Sequence, residues 1–127
     1  MKTQRKYLKK RWAEKTMRKI EWTPDGIASF NEILEYYRDR AGENIANTIY
    51  EKIIKEVERL ETDEIKTKRT QELMDIGISD VYELVIKPWK IYYKTSGDNK
   101  KAYVLFVLDG RRNLEEILMS KVIENKI

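Results

Sequence analysis

The chain has no cysteine and no histidine in its 127 residues. The first absence excludes disulfides and thiol nucleophiles and fits a reducing cytoplasm. The second removes the commonest general base and metal ligand, so no zinc centre is expected. No apolar run reaches membrane-spanning length, and none follows the basic N-terminus as a signal peptide requires. There is no low-complexity tract. What is present is 38% charged and 41% hydrophobic residues, a balance that suits a folded chain with one core and no covalent staples. The expectation is a single cytoplasmic domain without cofactor, metal or membrane contact.

The net charge of +4 is unevenly spread. Residues 1–19 hold nine Lys and Arg against Glu14 alone, so the other 108 residues are net negative. Such an arm reads as a solvated leader, partly helical or not, or as a contact for nucleic acid or an acidic partner. Met17 offers an alternative start, because Met17-Arg18-Lys19-Ile20-Glu21-Trp22 opens directly into a strand-like run. We divide the chain into a basic N-terminal extension, residues 1–17, and a folded domain, residues 18–127.

Three strand-like runs dominate the second half: Val81–Ile86, Trp89–Lys94 and Ala102–Leu108. Each is rich in β-branched and aromatic residues. Lys87-Pro88, Ser96-Gly97-Asp98-Asn99 and Asp109-Gly110 bound them, as in an antiparallel meander. Upstream, Ile20-Glu21-Trp22 alternates as a short strand. Thr23-Pro24-Asp25 then reads as a helix start, with a hydroxyl cap, proline at the first position and an early acid. Ile27, Phe30, Ile33, Leu34 and Tyr37 recur at helical spacing to about Arg40, and Gly42 is the predicted stop. Ile45, Ile49, Ile53, Val57 and Leu60 mark a second helix, which makes a helical hairpin. Residues 61–80 are the least readable, and Leu73, Met74, Ile76 and Ile78 fit either a short helix or an irregular packed loop. Asn113 caps a terminal helix with Ile117, Leu118, Val122 and Ile123 on its apolar face. The expected order is β-α-α-β-β-β-α. It is an α+β fold in which the helical hairpin packs on a small, twisted, mainly antiparallel sheet.

Alternation in the middle strand puts Trp89, Ile91 and Tyr93 on one face, expected in the core. Lys90, Tyr92 and Lys94 fall on the other, expected in solvent. Arg111 and Arg112 follow the last strand. The combination of Trp89-Lys90-Ile91-Tyr92-Tyr93, a hairpin, an apolar strand and Gly110-Arg111-Arg112-Asn113-Leu114 resembles the RelE/ParE toxins of type II toxin-antitoxin systems. The resemblance covers about residues 18–120 and sits closer to the ParE branch.

That resemblance implies one of two activities. The family's ribosome-dependent ribonucleases cleave mRNA without a metal, using a Lys/Arg cluster and a downstream tyrosine. Here the matching positions are Glu83, Val85, Lys90, Arg112 and Leu118, and only Lys90 and Arg112 are cations. If the chain were such an endoribonuclease, Lys90, Arg112 and Tyr92 would be its catalytic residues, with Lys87 and Tyr82 as substitutes. ParE members instead bind DNA gyrase and trap its cleaved complex, which needs a surface and no acid-base pair. On this reading Trp89, Lys90, Arg111, Arg112, Leu114 and Leu118 form the surface for target and antitoxin. The implied partners are a cognate antitoxin, with which the chain would form a toxin-antitoxin hetero-oligomer, and DNA gyrase, or alternatively the ribosome and its mRNA. A third reading is a degenerate, non-toxic binding module.

Overall fold

Thr23 and Pro24 fix where the helical layer begins. The Thr23 hydroxyl accepts the Gly26 N–H at 3.0 Å, Pro24 takes the first helical position, and Asp25 lies in the first turn. A helix start leaves N–H groups unpaired and carries partial positive charge, so each choice is favourable. The computed structural model describes residues 17–62 and 67–127. A short strand β1 (Lys19–Trp22) leads into α1 (Pro24–Ala41), and α2 (Glu43–Glu58) doubles back to a 3-10 turn at Arg59–Glu61. Gly42 makes the reversal with φ 92°, a backbone that glycine takes without strain, and its N–H donates to Arg38 O at 3.0 Å. There follow β2 (Lys68–Arg69), α3 (Gln71–Met74), β3 (Tyr82–Ile86), β4 (Trp89–Thr95), β5 (Lys101–Asp109) and α4 (Leu114–Ile123). The expected order is therefore present with two additions, β2 and α3, both in the stretch that periodicity left open. The predicted basic extension lies outside the described residues, apart from Met17.

The five strands form one sheet in the order β1-β5-β4-β3-β2, with β1 parallel to β5 and every other pair antiparallel. A register shift between Tyr92 and Tyr93 leaves Leu105 unopposed, a bulge that adds local twist. The α1–α2 hairpin covers one face. Phe30, Leu34, Ile49, Ile53, Val57 and Leu60 pack there against Leu84, Ile86, Trp89, Ile91, Tyr93 and Val107.

The second face is covered as well. Leu73 of α3 and Leu114 and Leu118 of α4 enclose Val81, Tyr92, Leu105, Phe106 and Leu108. Tyr92, expected in solvent, is fully buried. The reason is α4: ten residues are marginal as a free helix. Burying Leu114 and Leu118, worth roughly 1.5–3 kcal/mol each, holds it on the sheet. Among the described residues no helix is long and apolar enough to cross a membrane.

β1 pairs only with Lys101–Val104, so Leu105–Asp109 has no neighbouring strand on that side. Helix α1 closes this edge with side chains. Thr23 Oγ1 donates to Val104 O and Leu105 O, each at 3.0 Å, and Ser29 Oγ accepts the Val107 N–H at 2.9 Å. Gly26 allows the approach, since a Cβ there would stand 2.5 Å from Val104 O.

Candidate functional site

Helices α1 and α4 lie on opposite faces of the sheet, and between them, beyond the end of β1, a groove of about 510 Å³ opens onto β5. Its α1 wall carries Asp25, Ser29, Glu32, Tyr36 and Tyr37; its floor is Trp89 and Val107–Asp109; its far wall is Arg111, Arg112, Ile117 and Lys121. Trp89, nearly buried, meets the Tyr37 ring edge-on with centroids 5.9 Å apart. This is the arrangement that aromatic quadrupoles favour. Tyr36 is about half exposed, with the Arg40 guanidinium 4.4 Å from its ring centre.

The cations of the groove are held differently. Arg111 grips Asp109 in a two-point contact, Nη2 to Oδ2 at 2.7 Å and Nε to Oδ1 at 3.0 Å, while its backbone N–H donates to Oδ1 at 2.9 Å. Hydrogen bonding by Arg111 holds the Asp109 carboxyl below its usual range, with Arg112 adding to the effect. The same bonds to Asp109, and a further one to Tyr37, push the Arg111 guanidinium up. Arg111 is thus a fixed, outward-facing cation. Arg112 is exposed beside it. At the other end Lys121 Nζ lies 2.8 Å from Asp25 Oδ2 and ties the end of α4 to the start of α1. The contact is an ion pair without hydrogen-bond geometry, since Oδ2 has no hydrogen-bond partner among the described residues.

Three of the sequence-predicted residues, Trp89, Arg111 and Arg112, converge on this groove. Lys90, Tyr92, Leu114 and Leu118 do not line it. Leu114 and Leu118 are core residues under α4. Lys90 lies on the sheet face with Nζ 3.0 Å from the buried Glu83 Oε2, so it is not the free cation the sequence suggested. Tyr92, opposite Glu83 across β3 and β4, has its hydroxyl pushed well up, first by burial and then by Glu83 and Glu72. The hydroxyl therefore stays protonated near neutral pH, in a residue enclosed with Leu114 and Leu118 of α4. Tyr82, the substitute, sits on the hairpin face stacked on Tyr93 at 5.8 Å. Lys87 is exposed in the β3–β4 turn. Among the described residues no three His, Cys, Asp or Glu side chains are grouped to hold a metal.

Tyr36, Tyr37, Asp109 and Lys121 are not among the site residues expected from the sequence; Tyr37 reads there as part of the α1 stripe and Asp109 as part of a turn. One signal was available: Tyr36-Tyr37 carries aromatic area past the width of the α1 core stripe, and surplus of that kind marks a recognition surface.

The arrangement gives an aromatic floor, two outward cations and a rim of mixed charge. A comparison with family models names the family. A family model for the ParE toxin of the type II toxin-antitoxin system, parDE, matches residues 20–114. Among solved structures the chain is similar to a chromosomal ParDE toxin-antitoxin system from P. aeruginosa, with 18% identity and a TM-score of 0.60 over 74% of this chain and 97% of that one. It also matches the RelBE2 toxin-antitoxin complex from Mycobacterium tuberculosis at 10% identity and a TM-score of 0.46, over 73% of this chain and 98% of that one. The isolated E. coli RelE toxin matches at 13% identity and a TM-score of 0.46, over 87% and 99%. No curated protein matches the chain. The likeness to the ParDE structure speaks for the fold. The family model spans most of the sequence, both core layers and the groove floor, and the chain belongs to the ParE toxin family of type II toxin-antitoxin systems.

Proposed function

We propose that the chain is the toxin of a type II pair, that it poisons DNA gyrase by binding it, and that a cognate antitoxin neutralises it by covering the groove between α1 and α4. The observation that carries this reading is the convergence of Trp89, Arg111 and Arg112 on one concave surface. Poisoning by binding needs such a surface and asks no side chain to move a proton.

The groove also indicates what an antitoxin segment offers. Acidic residues would meet Arg111 and Arg112, and an apolar or aromatic residue would settle on Tyr36, Tyr37 and Trp89. A segment disordered on its own is suited to this, since it can follow the groove and order only on contact. Steering comes from elsewhere, because the positive excess of the chain resides in residues 1–19.

The test is controlled expression without antitoxin. The expected outcome is growth arrest with filamentation and DNA damage while mRNA stays intact, and relief of that arrest by Arg112→Ala. Arrest with mRNA cut on the ribosome would replace this reading with the ribonuclease one. Normal growth with folded protein would leave a binding module.

A further inference from the structure

On the sheet face away from the helical hairpin, Glu83 has a setting that poisoning does not explain. Its side chain is 2% exposed, and Oε2 lies 3.0 Å from Lys90 Nζ, which is itself only 23% exposed. Tyr92 stands opposite Glu83 on β4, and Lys68 opposite it on β2. Neither Glu83 Oε2 nor the Tyr92 hydroxyl has a hydrogen-bond partner among the described residues, so Oε2 is compensated by its ion pair with Lys90. A buried charge cannot swing into water when a ligand arrives, and its partner cannot leave it cheaply.

We infer that Glu83 is a specificity-determining residue: by holding and neutralising Lys90, it keeps nucleic-acid phosphate off that lysine. Affinity for a nucleic-acid backbone rests on cations that displace condensed counterions, and a lysine that is only 23% exposed and paired with a buried carboxylate displaces few. A phosphate brought to Lys90 would also meet the fixed negative charge of Glu83. The inference deepens the gyrase reading, since it explains how the chain presents a lysine in mid-sheet without becoming an RNA binder there.

The experiment measures binding of a fluorescent single-stranded RNA 12-mer to the full chain across a salt series. The N-terminal arm then contributes equally in every variant. Glu83→Gln keeps the shape and removes the charge. Its plot of log affinity against log salt should steepen by about 0.7, the increment for one new phosphate contact on a single strand. Glu83→Gln with Lys90→Ala should return to the wild-type slope. An unchanged slope in folded Glu83→Gln refutes the inference, as does a steepening that survives loss of Lys90.

A second measurement needs no variant. The Lys90 NζH3 resonance of the wild type should not move as the same RNA is titrated, and a saturating shift there refutes the inference. Neither experiment involves gyrase. Failure of the gyrase reading would leave both results standing, and failure of either would leave the gyrase reading to its own test.

Discussion

Replacing Gly26 by Ala tests the seam on which the groove depends. Helix α1 approaches β5 so closely that the added methyl would lie 2.5 Å from Val104 O and 3.2 Å from Thr23 Oγ1. Val104 O belongs to a strand paired on both sides and cannot yield by itself. The start of α1 must move outward instead, and three effects then compete. Forced overpacking costs about 1–3 kcal/mol. Weakening the Thr23 hydroxyl's bonds to Val104 O and Leu105 O costs about 1 kcal/mol more. Against these, alanine is favoured over glycine in a helix by roughly 0.5–1 kcal/mol. The net is a loss of about 2 kcal/mol, which for a chain of this size lowers Tm by roughly 8 °C. Gly97 is the control, because it has no atom within 4 Å of a built Cβ and no positive φ. Thermal unfolding by circular dichroism of both variants reads the difference. If Gly26→Ala melts with the wild type or above it, α1 is not seated on β5 as described, and the groove built from that seating goes with it.

Further outcomes follow from individual contacts. Lys90→Ala leaves Glu83 buried without its partner and should cost about 3 kcal/mol, with much of the loss recovered when Glu83→Gln is added; urea unfolding of the single and double variants measures both. Asp109 titrates below the usual carboxylate range in the folded chain. Its pair with Arg111 therefore contributes above the unfolded pKa and is lost as pH falls through the folded one. In Arg111→Ala an NMR titration should find the Asp109 carboxyl back near an ordinary value of about 3.9. Deleting residues 2–16 should slow association with an acidic antitoxin at low salt and matter little at high salt, by stopped-flow mixing. Unchanged rates would remove the arm from that role.

The parts of the fold that the sequence shows are those in which each residue reports its own environment. Thr23-Pro24-Asp25 announces α1, and the branched and aromatic runs at Tyr82–Ile86, Trp89–Thr95 and Lys101–Asp109 announce the meander. β2 escapes because two residues, Lys68 and Arg69, carry no alternation, and their strand character comes only from pairing with Tyr82 and Glu83. The burial of Tyr92 escapes for a different reason. Lys90, Tyr92 and Lys94 look like a wet face until α4 is placed over the middle of it, and nothing within β4 records that. Glu83 and Lys90 lie seven positions apart, and their pairing follows from register across a turn. The groove was half legible, since Trp89, Arg111 and Arg112 stand in one stretch of chain whereas Tyr36, Tyr37 and Lys121 arrive from two helices distant in sequence.

The central claim is that this surface acts on gyrase by binding. Purified gyrase and supercoiled DNA, with the full chain added in increasing amounts, test it most directly. Cleaved DNA covalently linked to gyrase should accumulate with the wild type, and Arg111→Ala combined with Arg112→Ala should abolish the effect while the fold stays intact. Absence of cleavage complexes with folded wild-type protein would contradict it.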